Sequence, residues 1–139
     1  MSIWITVGSS LNLKTSLEKA KWGINRRLKN SWDRVAEGNL LLFYVTSPVC
    51  GIVGIARVEG RAVENSILWR DEAVVGRALY PYRILFKPLF ILQEDRWEID
   101  RIAVKDLNVS VRAGLNSLRN QDAMEKLLER IRGSWGVKV

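Results

Sequence analysis

The chain reads as an α+β protein built on a curled mixed β-sheet or small β-barrel flanked by short helices. Apolar runs of strand length recur between Gly- and Pro-marked turns, as in Leu40 to Val45 and Gly51 to Val58. Helical periodicity is confined to short stretches and one closing stripe. No strand–helix–strand rhythm is present, which argues against a parallel α/β sheet.

Ile3 to Val7 alternates as a strand and stops at Gly8-Ser9-Ser10. Thr15-x-x-Glu18 is a capping-box pattern, predicting a short helix that Gly23 closes. Leu28, Trp32 and Val35 lie at helical spacing, so a second short helix is expected to run to about Ala36. Leu40 to Val45 is a continuous apolar run suited to a buried strand, and Pro48 marks the turn into its hairpin partner, Gly51 to Val58. Gly51 and Gly54 there point to a bulge or a close backbone approach. Glu59 to Leu79 has weak periodicity and reads as a long loop with one helical turn or a short strand. Tyr82 to Leu92 is the next strand, with Pro88 near an edge or bulge. A short element starts at Trp97. Met124, Leu127, Leu128 and Ile131 stripe a closing helix that Gly133 is expected to end, with Asn116 to Asn120 as its polar approach.

The 139 residues fit one domain, 1–139, with normal hydrophobic (47%) and charged (27%) content. No apolar run reaches the roughly 18 residues of a membrane span, and no signal-peptide pattern opens the chain. A lone cysteine, Cys50, lies in an apolar run and reads as a buried small hydrophobe. A cytoplasmic location is therefore expected, with no membrane partner. The chain has no histidine, which removes the commonest general base and metal ligand. No metal site, cofactor, P-loop or dinucleotide fingerprint is expected, and binding is favoured over catalysis.

The charge is uneven. Between Lys14 and Arg34 seven Lys/Arg face only Glu18 and Asp33, a local +5 of the chain's total +7. Cations at that density invite an anion, and phosphate is the usual one. Within them, Lys21-Trp22-Gly23-Ile24-Asn25-Arg26-Arg27 adds an indole that can stack on a base and a carboxamide that can read a base edge. The same residues also suit a solvated helix face with one tryptophan tucked into the core.

Taken with their neighbours, these residues resemble the PUA-like superfamily, specifically its EVE and YTH branches, over nearly the whole chain. Lys21-Trp22-Gly23-Ile24, Lys29 to Val35, Gly38-x-Leu40 to Val45, Ile52 to Ile55 and Tyr80-Pro81-Tyr82-Arg83 are similar to archaeal stand-alone EVE proteins. Thr15 to Lys21, Asn25-x-x-Leu28 and Asn116-Ser117-x-Arg119-Asn120-x-Asp122 are similar to YTH segments. The resemblance implies a non-catalytic module that holds a flipped or single-stranded modified base, such as N6-methyladenine or 5-methylcytosine, in an aromatic cage. The implied partner is DNA or RNA, with a restriction or RNA-processing protein alongside. Some relatives are the recognition domains of modification-dependent restriction enzymes; a PUA-type tRNA- or rRNA-binding module without methyl selectivity is the alternative. A third is an ASCH-like nucleoside hydrolase, which would need a placed lysine and carboxylate such as Lys21 with Asp71 or Glu72.

Carried over residue by residue, the resemblance makes Trp22 a cage wall and Trp69, in the long loop, a second. The third wall falls to Leu79 or Tyr80, because Ala73 and Val74 stand where a bulky residue is usual. Asn25 and Ser9 would read the base edge; their ordinary roles are a helix cap and a turn serine. Lys21, Arg26, Arg27, Lys29 and Arg119 are the phosphate candidates, each equally at home as surface charge. Trp4, Trp32 and Trp97 sit in apolar-periodic segments and belong to the core.

Overall fold

The structure is a computed structural model and describes residues 2–139. Six strands form one mixed sheet in the order β2-β5-β4-β3-β1-β6: β1 Ile3–Gly8, β2 Lys21–Ile24, β3 Leu40–Val45, β4 Gly51–Val63, β5 Tyr82–Ile91 and β6 Leu115–Ser117. The pair β1–β3 is parallel, and the other pairings are antiparallel. The helices are α1 Ser10–Lys19, α2 Lys29–Trp32, α3 Arg70–Val75, α4 Trp97–Asp100 and α5 Gln121–Trp135.

The continuous apolar run of β3 follows from its burial on both faces. Leu41, Phe43 and Val45 point into a concave core shared with Trp4, Trp22, Trp32, Val53, Ile84 and Phe86. Leu40 and Leu42 point to the other face, where Leu127 and Ile131 of α5 cover them. The sheet is curled by register shifts at Phe43/Tyr44, Ile55/Ala56 and Val58/Gly60. Pro88 lies beside the second of these. Trp4, Trp32 and Trp97 are core residues, none more than 7% exposed. Among the described residues no helix is long and apolar enough to cross a membrane.

Several sequence expectations are corrected. Helix α1 starts at Ser10, because Ser9 Oγ accepts the Asn12 N–H at 3.1 Å. Thr15 lies inside that helix and its hydroxyl donates to the Leu11 carbonyl. The helix ends at Ala20, which adopts φ +57°, and not at Gly23. Gly23 instead pairs with Arg83 in β2, an edge strand unmarked in the sequence. The second helix is broken into a 3-10 turn, Arg26–Leu28, and α2, which stops at Trp32. The supposed loop from Glu59 opens as the last residues of β4 and holds α3. Helix α5 runs through Gly133, since Ile131 is buried and Trp135 stacks on Phe90 at 5.1 Å; Gly136 caps it at φ +68°. Cys50 is exposed, at φ +52° in the β3–β4 turn.

Candidate nucleic-acid interface

Strand β2 hydrogen-bonds to β5 in a register that sets Trp22 opposite Ile84 and turns its indole into the concave core. The ring reaches across to β1. A Cβ placed on Gly8 would lie 2.8 Å from Trp22 Cη2 and Cζ2, so only glycine admits it there. Trp22 is 2% exposed, and its Nε1 has no hydrogen-bond partner among the described residues.

Trp69 reaches the same place from the segment between β4 and β5. Its indole N–H donates to the Asn12 carbonyl and to Ser16 Oγ, both at 3.0 Å, which anchors it on α1. The Trp22 and Trp69 rings meet edge to face with centroids 4.9 Å apart, and Tyr80 packs on Trp69 the same way at 5.0 Å. Gly23 leaves room for Tyr80, whose Cβ would lie 2.7 Å from a Cβ at that position.

One buried carboxylate orders this segment. Glu72 Oε1 accepts the N–H groups of Leu68 (2.9 Å) and Trp69 (3.0 Å), and Oε2 those of Leu79 (2.8 Å) and Tyr80 (3.1 Å). Burial pushes its pKa up, but the four amide donors outweigh burial and hold it below the ordinary glutamate value. Arg83, also buried, adds charge 3.7 Å from Oε2 and donates through Nε to the Tyr80 carbonyl at 2.7 Å and through Nη2 to that of Ser66. The Tyr80 hydroxyl donates to Asp71 at 2.6 Å. Burial first, then that bond and the Asp71 and Glu72 charges, push the phenol up to about 12.

The three rings border a slot of about 100 Å³ whose further lining includes Asn12, Asn25, Leu28 and Gly114. No charged side chain lines it. Asn25 Oδ1 accepts the Leu28 N–H at 3.2 Å, capping the 3-10 turn. The cap uses the carbonyl oxygen of Asn25, and its amide N–H donors have no partner among the described residues. Beyond Asn25, Leu28 and Gly114 a second depression of about 440 Å³ opens, lined also by Arg27, Arg112 and Ala113.

Thus Trp22, Asn25, Trp69 and Tyr80 come together, and Arg27 stands next to them. Other candidates do not join. Ser9 is spent as the α1 cap and does not line the slot. Leu79 contributes its backbone N–H to Glu72, not its side chain to the wall. Lys21 pairs with Glu64 at 3.0 Å and Lys29 with Asp33 at 2.9 Å. Arg26 is exposed but lines neither cavity. Arg119 lies at the far end of β1, beside Ser2 and Trp4. The lysine–carboxylate pair envisaged for hydrolysis is not assembled, since Lys21 faces Glu64 while Glu72 is filled by backbone donors. Asn12, Arg112 and Gly114 carry no sequence signal; Glu72 does carry one, as the third residue of a helix that Trp69 precedes. A separate cavity of about 240 Å³ lies at the end of β3, between Tyr44, Cys50 and the 101–111 segment. Among the described residues no cluster of His, Cys, Asp and Glu could hold a metal ion.

A curled mixed sheet flanked by short helices fits the PUA-like fold. The chain is similar over most of its length to the ASCH protein of Zymomonas mobilis (TM-score 0.56, 15% identity, 91% of this chain and 94% of that one). It is equally similar to the YTH domain of a Zygosaccharomyces rouxii protein in complex with N6-methyladenosine RNA (TM-score 0.57, 14% identity, 92% and 84%). The chain belongs to the UPF0310 family: it is 32% identical over 100 residues to the UPF0310 protein of Pyrococcus abyssi, covering 66% of this chain and 68% of that one. No protein-family model matches the chain.

Proposed function

We propose that this chain, acting as a single domain over residues 1–139, is a non-catalytic nucleic-acid-binding module that takes a flipped or single-stranded methylated base. N6-methyladenine and 5-methylcytosine are the candidate bases, and a nuclease or RNA-processing enzyme is the partner that would act on the site it marks. The carrying observation is the meeting of Trp22, Trp69 and Tyr80, from three separate segments, in an uncharged slot beside the amide donors of Asn25. A base-borne methyl group is apolar and gains from leaving water against aromatic faces. A slot of about 100 Å³ suits the methyl-bearing edge, with the sugar over the adjoining depression. The likeness to a YTH domain bound to N6-methyladenosine RNA supports this. The likeness to an ASCH protein raises the hydrolase alternative, but Lys21 and Glu72 are each engaged elsewhere.

One observation favours a second reading, an RNA-binding module without methyl selectivity: the Trp22 and Trp69 rings already pack on each other. Titrating single-stranded RNA and DNA carrying one N6-methyladenine, one 5-methylcytosine or neither decides between them. A preference of about fourfold for one methylated strand is expected from the roughly 0.8 kcal/mol of burying one methyl group. Equal affinities would remove the methyl-reading proposal and leave the unselective one.

A further inference from the structure

The turn at residues 110–114 is built into the sheet by one buried amide. Asn116, 8% exposed in β6, accepts the Ala113 N–H at 3.2 Å and the Ser110 hydroxyl at 3.4 Å on Oδ1. Its Nδ2 donates to the carbonyls of Ala113 (2.6 Å) and Ile5 (3.3 Å). The Gly114 carbonyl accepts the Val7 N–H at 3.2 Å, which stitches the turn to the end of β1. Arg112 therefore stands on a fixed backbone. With Arg27 it lines the depression that continues the slot through the shared residues Asn25, Leu28 and Gly114. Both guanidiniums are exposed, no carboxylate lines the depression, and neither has an acidic partner among the described residues. Two neighbours of Arg27 in the basic stretch, Lys21 and Lys29, are each neutralised by a carboxylate.

We propose that Arg27 and Arg112 form a phosphodiester-binding subsite that holds the strand at the nucleotide whose base enters the slot. The proposal builds on the base-slot reading. Two unpaired guanidiniums lining one depression repel each other until an anion lies between them, and their planar forks match phosphate oxygens. The shared wall puts a phosphate one sugar away from the base within their reach. The slot then selects the base, and the arginines set the strand's position. Asn116 acts as a positioning residue, through Arg112. Of the five cations in the resemblance, only Arg27 takes part, and Arg112 completes the pair.

Binding of a methylated single-stranded oligonucleotide and of the free methylated nucleoside is to be compared for wild type, Arg27→Gln, Arg112→Gln and Arg119→Gln, at about 50 and 200 mM salt. Arg27→Gln and Arg112→Gln should each weaken the oligonucleotide about tenfold at low salt and flatten the slope of log affinity against log salt by about 0.7. Nucleoside binding should stay unchanged, and Arg119→Gln should behave as wild type. Wild-type affinity in both variants, or an equal loss in Arg119→Gln, overturns the subsite. If wild type ignores methylation and the nucleoside while Arg112→Gln still weakens the strand, the base-slot reading falls and the phosphate subsite stands.

Discussion

Trp69 and Tyr80 hang from opposite oxygens of the same carboxylate, Glu72: the Trp69 N–H on Oε1 at 3.0 Å and the Tyr80 N–H on Oε2 at 3.1 Å. Two walls of the slot are thus fixed by backbone hydrogen bonds to one buried side chain. Each ring is placed by where its own amide is tethered, and the intervening helix α3 closes the loop between them. Arg83 supplies the compensating charge from β5 and ties the same loop through the Ser66 and Tyr80 carbonyls.

Glu72→Gln should therefore destabilise the protein by about 2–4 kcal/mol. A carboxamide offers one acceptor oxygen and points an NH₂ group at two amide donors, and buried Arg83 keeps only Glu64, 3.9 Å away, of its two carboxylates. Chemical denaturation followed by tryptophan fluorescence measures the loss. A change below about 0.5 kcal/mol would show that the four contacts carry little weight.

Acid should act through the same residue. The Glu72 pKa is lower folded than the ordinary 4.5, so its stabilising contribution is complete above about 4.5 and is lost as pH falls through the lower folded value. Wild type should lose stability across that window, and Glu72→Gln should lose less over the same range. The Asp106 carboxyl, held down to about 2 chiefly by its hydrogen bond from Arg130, acts in the same direction in both proteins and cancels in the comparison. Parallel curves for the two proteins below pH 4.5 would exclude Glu72 as the acid-sensitive group.

Gly23→Ala tests how closely β2 and Tyr80 must approach. The added methyl would lie 2.7 Å from Tyr80 Cβ and 3.2 Å from its carbonyl oxygen, a backbone group that cannot swing away. A cost of about 1–3 kcal/mol is expected, with Tyr80 displaced from Trp69. Gly60→Ala is the comparison, since nothing lies within 4 Å of a Cβ there. Thermal melting of the two variants should separate them clearly, and equal melting temperatures would refute the steric account.

The long apolar strands were legible because both faces of β3 and the start of β4 are buried, so hydrophobicity alone marks them. Strand β2 was not: four residues, Lys21 to Ile24, become a strand only by pairing with β5, some sixty positions later. Trp22 and Trp69 could be picked out as unusual indoles, but their meeting depends on the curl of the sheet. Glu72 could be read in the sequence only as the third residue of a short helix; its burial is set by the four amides that it caps in three dimensions. Arg112 was invisible for a related reason, since its place follows from Asn116 bonding backward to the 110–114 turn. Cys50 misled because its apolar neighbours sit in strands while it occupies the turn between them.

Tyr80 contributes a ring and not an ionisable hydroxyl. With its pKa pushed up to about 12, the phenol stays protonated at neutral pH and donates to Asp71. Tyr80→Phe should keep methylated-strand affinity within about twofold and cost at most about 1 kcal/mol of stability, because the lost bond is exposed. Tyr80→Ala should lose about tenfold in affinity with the wall. An equal loss in both variants would assign the effect to the hydroxyl.

Asn25 has two separable jobs, and one substitution divides them. Its Oδ1 caps the 3-10 turn, a role serine fills nearly as well, while its amide N–H donors, unpartnered on a residue that lines the slot, have no counterpart in serine's shorter side chain. Asn25→Ser should therefore fold with wild-type stability to within about 0.5 kcal/mol. Its affinity for the methylated strand should fall about tenfold, the worth of one hydrogen bond to a desolvated base acceptor. Because the proposed phosphate subsite of Arg27 and Arg112 is untouched, the salt slope of binding should stay as in wild type. A variant that loses stability together with affinity would show Asn25 to be only a cap. One that keeps both would show that the base edge is read by another donor, and the unpartnered Trp22 Nε1 would then be the group to substitute next.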